Sequence, residues 1–152
     1  MKFPLNLVGI EEKIINTTPF FNLISKGKEH IPQEEIEEEL RQSKSIGAER
    51  FILYKDQVYV GIIEYLLHNH GDQCTWLGLL LIRNDLQSMG YGSEVLRQFE
   101  ELMTSKEIKK YRIGVIVDNE PAHRFWNKQG FVRVASSING DNKEIVIYEK
   151  TI

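Results

Sequence analysis

A glycine turn between an apolar run and a helical pattern is the part of this sequence best suited to chemistry. The apolar run covers 79–82, glycines follow at Gly90 and Gly92, and apolar residues recur at three- and four-residue steps over 94–103. The first turn of a helix leaves N–H groups unpaired and carries about half a positive charge. Glycines allow a phosphate to approach the backbone closely. The stretch therefore predicts a site for phosphate or pyrophosphate, presented by a nucleotide or a nucleotide-like cofactor.

The spacing of this turn excludes two common nucleotide motifs. A P-loop requires a Lys-Ser or Lys-Thr pair directly after its second glycine, and no such pair follows a glycine at that distance here. A dinucleotide fingerprint requires Gly or Ala three residues after the second glycine, and that position is Val95. The pattern that remains is Gln-x-x-Gly-x-Gly, from Gln87 to Gly92.

This pattern resembles the acetyl-CoA loop of the GNAT N-acetyltransferases, which reads (Gln or Arg)-x-x-Gly-x-(Gly or Ala) between a strand and a helix. A second segment, 117–131, is similar to the family's later strand–helix unit. In that unit an Asn opens a helix, an Ala follows three residues later and Gly-Phe closes the helix; here these are Asn119, Ala122, Gly130 and Phe131. The two segments stand in the family's order, and the likeness extends from about residue 50 to the C-terminus.

The resemblance implies acetyl-CoA as co-substrate and assigns the residues that would bind it. The backbone of a splayed strand would meet the thioester and pantetheine, the glycine loop would hold the pyrophosphate through its N–H groups, and the second segment would line the pantetheine and thioester. These residues are Leu80, Leu81 and Ile82 on the strand, Gln87, Ser88, Met89, Gly90, Tyr91, Gly92 and Ser93 in the loop, and Asn119, Phe125 and Trp126 in the second segment. Leu80, Ile82 and Phe125 also fit the interpretation of ordinary core residues.

Two departures from the family concern catalysis. Many relatives carry Tyr where Trp126 stands, and the indole N–H is not a usable acid near neutral pH. The run 75–82 also holds no carboxylate that could act as a general base. Glu64, within an otherwise apolar strand, is the best candidate, because burial would make its carboxylate a better proton acceptor. The alternative is that Glu64 faces solvent on the open side of the sheet; His68 is the second candidate.

Two function classes follow. The first is an enzyme, an N-acetyltransferase that moves an acetyl group from acetyl-CoA to a primary amine of a small molecule or peptide, by direct attack in a ternary complex. The second is a weakly catalytic or non-catalytic acyl-CoA-binding module or sensor on the same scaffold. Trp126 and the carboxylate-free run 75–82 keep this second interpretation open.

The elements that must position these residues alternate between strand and helix patterns. They predict an α/β fold, with a mixed, partly antiparallel sheet and helices on both faces, and the resemblance implies that the sheet is splayed at its centre. Strands are predicted through residues 3, 5 and 7 and over 50–55, 58–67, 75–82, 111–117, 131–134 and 144–148. Helices are predicted from Pro19 to near Gly27 and over 33–45, 94–103 and 119–129.

Size and composition indicate an ordinary globular protein. The 152 residues, at 17.7 kDa, predict a single domain over 1–152. The sequence has no basic patch that would indicate binding of nucleic acid, and the net charge of −3 slightly favours cationic substrates. The one cysteine, Cys74, suits a reducing compartment, and no signal peptide or apolar run of membrane-spanning length is seen, so a cytoplasmic location without membrane attachment is expected. An edge strand in the C-terminal hairpin offers a surface for a homodimer.

Two further clusters admit a ligand but have plainer interpretations. His68-x-His70-x-Asp72-x-Cys74 has metal-ligand residue types, yet Gly71-Asp72 is typical of a turn, so we predict a polar hairpin loop and no metal. The glutamates of 34–39 could attract polyamines or basic peptides, but acids near a helix N-terminus are usually a solvated face.

Overall fold

The computed structural model describes residues 7–152 and contains a six-stranded sheet with helices on both faces. The helices are α1 (Val8–Ile15), α2 (Pro19–Lys26), α3 (Gln33–Ser45), α4 (Tyr91–Ser105) and α5 (Glu120–Lys128), with a short 3₁₀ helix at Asn84–Leu86. The strands are β1 (Glu49–Lys55), β2 (Val58–Leu66), β3 (Trp76–Ile82), β4 (Lys110–Ile116), β5 (Val132–Ile138) and β6 (Glu144–Thr151).

The first helix, α1, is an element that the sequence did not predict. Residues 3 and 5 of the predicted first strand lie outside the described part, and Leu7 directly precedes α1, which was not predicted. The buried residues of α1 recur at helical spacing, at Val8, Glu11, Ile14 and Ile15. Because one member of that stripe is a glutamate and Val and Ile are poor helix formers, the pattern does not read as a helix in the sequence.

The α/β prediction with helices on both faces is confirmed. The strand order is β1-β2-β3-β4-β6-β5, antiparallel except between β3 and β4. One hydrophobic cluster lies against α1 and α3 and includes Ile36, Ile62 and Leu81. The other includes Phe99 of α4 and Trp126 of α5. The sheet therefore separates two cores, and β3 contributes to both, through Leu81 on one face and Leu77 on the other.

The sheet opens between β3 and β4. Among the described residues, the two strands are in register only at Trp76 and Arg112, next to a hydrogen bond from the Arg112 N–H to the Thr75 carbonyl of 2.9 Å. On the other side of β3, Glu64 pairs with Leu79 and Tyr65 with Leu77, so Gly78 is an extra, unpaired residue. Such a bulge bends and twists a strand. It accounts for the divergence of β3 from β4 directly after their point of contact.

Candidate functional site

The loop between β3 and α4 exposes a row of unpaired backbone donors. Gly90 caps α4 in the left-handed conformation, with φ of 86°, and a Cβ at this position would meet nothing within 4 Å. The N–H groups of residues 88–93 make no hydrogen bond with any other described residue. They stand at the positive end of a 15-residue helix. This geometry fits an anion such as a pyrophosphate.

The side chain of Gln87 has a structural role in this loop. Its Nε2 donates to the backbone carbonyl of Ile82 over 3.0 Å, which fastens the loop to the end of β3. The Arg83 N–H donates to the Val60 carbonyl in β2. Since backbone groups alternate between the two edges of a strand, Leu81 also faces β2, whereas Leu80 and Ile82 face the opening. Of the three predicted strand residues, two therefore present backbone groups to the opening.

Gly92 serves the packing of α4 against α5. A Cβ on Gly92 would lie 3.2 Å from Cζ of Phe125, so the missing side chain makes room for that ring. The Phe125 ring is in turn 4.9 Å from the Trp126 ring, edge to face. Trp126 is buried and also contacts Phe131 at 5.1 Å. The two aromatic residues thus form the wall of the second core beside the glycine loop.

Asn119 is the N-cap of α5, as the sequence predicts. Its Oδ1 accepts a hydrogen bond from the Ala122 N–H at 3.3 Å, and the residue is buried. Capping uses one of the helix's free N–H groups and fixes where α5 begins, at the open end of β4. Asn119 is therefore held at the mouth of the opening.

Glu64 belongs to a buried charged network that the sequence did not suggest. Its Oε1 accepts from Nη1 of Arg50 at 2.9 Å, and Nη2 of Arg50 donates to Oε1 of the fully buried Glu11. Burial raises the pKa of Glu11, and the Arg50 guanidinium opposes that effect. The Glu64 side chain is 17% exposed, and its Oε2 lies 3.5 Å from the position that a Cβ would take at the bulged Gly78. The carboxylate thus lies at the point where β3 leaves β4, and it is neither in an apolar pocket nor fully in solvent.

A family model decides what this arrangement is. The model described as the acetyltransferase (GNAT) family matches residues 16–131, about three quarters of the chain. The chain belongs to the GNAT acetyltransferase family. It is thus an acetyl-CoA-dependent N-acetyltransferase by family, with acetyl-CoA as co-substrate, and its splayed sheet is the GNAT fold.

Solved structures agree on the fold of this acetyltransferase. An acetyltransferase from Thermus thermophilus superposes with a TM-score of 0.81 at 22% identity, covering 99% of this chain and 94% of the other. An acetyl transferase from Salmonella typhimurium, described as modifying the N-terminal serine of a 50S ribosomal subunit protein, gives 0.79 at 14% identity, with coverage of 100% and 93%. Spermidine N-acetyltransferase from Vibrio cholerae, in complex with CoA and spermine, gives 0.72 at 16% identity, with coverage of 99% and 93%. No curated protein sequence matches the chain.

The other predicted catalytic residue lies elsewhere in this acetyltransferase. His68 is exposed in the loop between β2 and β3, where its ring meets that of His70 at 5.7 Å. Asp72 organises the loop by accepting from the Cys74 N–H and the Trp76 Nε1, at 2.9 and 2.8 Å. Residues 7–152 contain no group of His, Cys, Asp and Glu side chains arranged to hold a metal ion. This loop is the polar hairpin connection that the sequence predicts.

The acidic side chain in the first turn of α4 is paired within the helix. Glu94, in the first turn of α4, accepts from Arg97 and Gln98, and these hydrogen bonds lower its pKa to about 2. Its negative charge is therefore paired within the helix and does not oppose an anion at the loop.

No helix in the described part of the chain is long and apolar enough to cross a bilayer.

Proposed function

We propose that the protein transfers the acetyl group of acetyl-CoA to a primary amine by direct attack in a ternary complex. The observation that carries the proposal is the opening between β3 and β4, which ends at a row of free N–H groups. A long, thin ligand with a thioester at one end and a pyrophosphate further along suits such a channel. Acetyl-CoA supplies the acetyl group in activated form.

The proposal assigns one part of the co-substrate to each part of the channel. The N–H groups of 88–93 hold the pyrophosphate. The backbone groups of Leu80 and the N–H of Ile82, whose carbonyl already accepts from Gln87, bind the pantetheine arm, and one of these N–H groups polarises the thioester carbonyl. Asn119 lies at the mouth of the channel, and Phe125 and Trp126 support its wall from the second core.

Glu64 is the proposed general base. Its Oε1 is occupied by Arg50, and its Oε2 points toward the bulge at Gly78. The amine must be neutral to attack, so a carboxylate that takes its proton, directly or through one water, promotes the reaction. The amine nitrogen forms a bond to the carbonyl carbon, the carbon–sulfur bond breaks, and the CoA thiolate leaves and gains one proton.

The proton for the thiolate comes from solvent in this proposal. Trp126 replaces the tyrosine of many relatives, and an indole N–H does not supply a proton near neutral pH. A thiolate is a good leaving group, so the reaction proceeds without a positioned acid. The presence of Trp126 in place of a tyrosine also favours a second candidate function, a binding module that holds acyl-CoA with little turnover.

The acceptor is proposed to be a primary amine on a small molecule or a peptide. The similar structures named above include one described as acting on an N-terminal serine and one on spermidine, and both carry primary amines.

A thermal-melt comparison tests co-substrate binding. Acetyl-CoA at about a hundred times its dissociation constant adds about 2.7 kcal/mol of stability. For a chain of this length this corresponds to a rise in Tm of roughly 5–10 °C. ATP and NAD serve as controls and should give no such rise. An unchanged melt with acetyl-CoA would contradict both candidate functions.

The variant Glu64→Gln then distinguishes the acetyltransferase from the acyl-CoA-binding module. The amide oxygen can still accept from Arg50, so folding and the melting shift with acetyl-CoA should persist. Loss of the base should lower kcat by about 10²–10⁴-fold in an assay of CoA thiol release with amine acceptors. An unchanged and barely measurable rate in both proteins would favour the binding module. An unchanged but substantial rate would exclude Glu64 as the base.

A further inference from the structure

The glycine loop that holds the pyrophosphate in the function proposed above carries no cation of its own. Residues 87–93 contain neither Lys nor Arg, although a pyrophosphate is an anion. The nearest arginines along the chain are already used, since Arg83 pairs with Asp85 at 2.6 Å and Arg97 pairs with Glu94 at 2.7 Å. A positive side chain beside the phosphates would therefore have to come from another element of the fold.

The hairpin of β1 and β2 brings Lys55 to this loop. Because β2 runs antiparallel to β3, with Gly61 opposite Ile82, the turn between β1 and β2 lies at the end of β3 where the loop begins. Lys55 is the last residue of β1, and its Nζ lies 5.4 Å from the centroid of the Tyr91 ring. The N–H of Tyr91 belongs to the free row 88–93. The hairpin thus brings a cation to the side chain of a residue in that row.

Lys55 has no anionic partner at hydrogen-bond distance in the free protein. It is exposed and forms no ion pair within residues 7–152. The N-terminus of α4, next to Lys55, is the positive end of the helix dipole, and a cation is unfavourable there. Glu94 attracts Lys55 electrostatically, but its carboxylate is already held by Arg97 and Gln98. The surroundings of Lys55 are therefore suited to an anion that arrives from outside the chain.

We propose that Lys55 binds the pyrophosphate of acetyl-CoA and so favours this co-substrate over acetyl thioesters that lack phosphate. The inference rests on the placement of the pyrophosphate at 88–93 in the function proposed above. A lysine has a flexible four-carbon stem, so Nζ can turn from the Tyr91 ring to a phosphate oxygen held by the N–H of the same residue. The ring keeps the ammonium group near the site before the ligand arrives, which reduces the entropy lost on binding.

Titration calorimetry of wild type and Lys55→Gln with a series of acetyl thioesters tests the proposal. The Kd for acetyl-CoA should rise about 3–10-fold in the variant, because a charge-assisted hydrogen bond is lost at an exposed position. The same rise is expected with acetyl-3′-dephospho-CoA, which keeps the pyrophosphate. Acetylpantetheine has no phosphate, so both proteins should bind it equally. Lys55→Arg keeps the charge and should retain most of the affinity for acetyl-CoA.

Lys44→Gln is the matched control. Lys44 is an exposed lysine in the last turn of α3, before β1 begins, whereas Lys55 is the residue at which β1 ends. The control removes the same charge and should bind acetyl-CoA as the wild type does. Added salt should raise the Kd of the wild type more steeply than that of Lys55→Gln. Without ligand, the Tm of Lys55→Gln should stay close to that of the wild type, so that a smaller rise with acetyl-CoA reports on binding.

Several outcomes would overturn the inference and leave the proposed function intact. These are an unchanged Kd for acetyl-CoA in Lys55→Gln, an equal loss of affinity in Lys44→Gln, or a loss that disappears with acetyl-3′-dephospho-CoA. The last result would assign Lys55 to the 3′-phosphate and not to the pyrophosphate. Failure of every protein to bind acetyl-CoA would instead contradict the proposed function itself. Because calorimetry needs no turnover, the role of Lys55 is decided even if no amine is acetylated.

Discussion

Replacing Arg50 by Met tests the buried network behind the proposed base. Arg50 is the cation between Glu11, which is 0% exposed, and Glu64. Removing one partner of a buried ion pair leaves an uncompensated charge and costs about 3–5 kcal/mol. At a typical dependence on denaturant, this lowers the midpoint of urea unfolding by roughly 2 M. Methionine keeps most of the side-chain volume, so the loss reports mainly on charge.

The pH dependence of this variant identifies Glu11 as the cause. Burial raises the pKa of Glu11 above its ordinary value of 4.5, and loss of Arg50 removes the opposing effect. At pH values between 4.5, the ordinary pKa of a glutamate, and the raised pKa of Glu11, the folded protein binds more protons than the unfolded chain. The free energy of unfolding of the variant therefore rises as the pH falls through that interval. The difference in free energy of unfolding between wild type and Arg50→Met should therefore be smaller at about pH 5 than at pH 7.

Urea unfolding followed by circular dichroism at the two pH values measures both effects. The double variant Arg50→Met with Glu11→Gln should recover much of the lost stability at pH 7, because no buried charge is then left at Glu11. A loss below about 1 kcal/mol in the single variant would refute the reasoning. The reasoning would also be refuted if the difference in free energy of unfolding between wild type and Arg50→Met were independent of pH and the double variant recovered no stability.

Three further predictions concern the elements around the channel. Gly92→Ala should be less favourable for the free energy of unfolding than Gly9→Ala by about 1–3 kcal/mol, because both changes favour a helix but only the Cβ at position 92 meets the Phe125 ring. Denaturant unfolding of both variants checks this, and equal changes would contradict the packing role of Gly92. Asn119→Ala should lower the free energy of unfolding, measured by thermal unfolding, by about 1 kcal/mol, because the α5 cap is lost. Asn119→Asp should keep the cap, and equal losses in the two variants would contradict the capping role. Trp126→Phe should leave kcat unchanged in the thiol-release assay while lowering Tm, and a fall of about tenfold or more would show that the indole N–H takes part in catalysis.

Much of the fold could be predicted because its signals are local. Pro19 and Gly27 mark the limits of α2, and the structure has the helix at Pro19–Lys26 with Gly27 in the left-handed conformation. Asp56 and Gln57, the two residues left between the predicted strands 50–55 and 58–67, have φ of 51° and 64°, as a two-residue hairpin turn requires. Such features depend on a few neighbouring residues and survive in any tertiary context.

The features that could not be predicted depend on contacts between distant parts of the chain. Glu11 reads as a surface residue in the sequence, and only the approach of β1 places Arg50 beside it. The glycine pattern indicated a loop that precedes a helix, but the need for glycine at position 92 comes from a ring 33 residues later in α5.

The single point of contact between β3 and β4 also has a mechanical consequence. The sheet consists of two three-stranded parts, and at the open end they are joined across the gap by the partly exposed Lys26–Asp141 pair, which contributes little stability. Backbone amides that border the gap should exchange their hydrogens faster than those between paired strands. A molecule lying in the gap takes the place of the missing strand contacts. Substrate binding and the cohesion of the two parts are therefore coupled, and the enzyme should be most rigid when it is loaded.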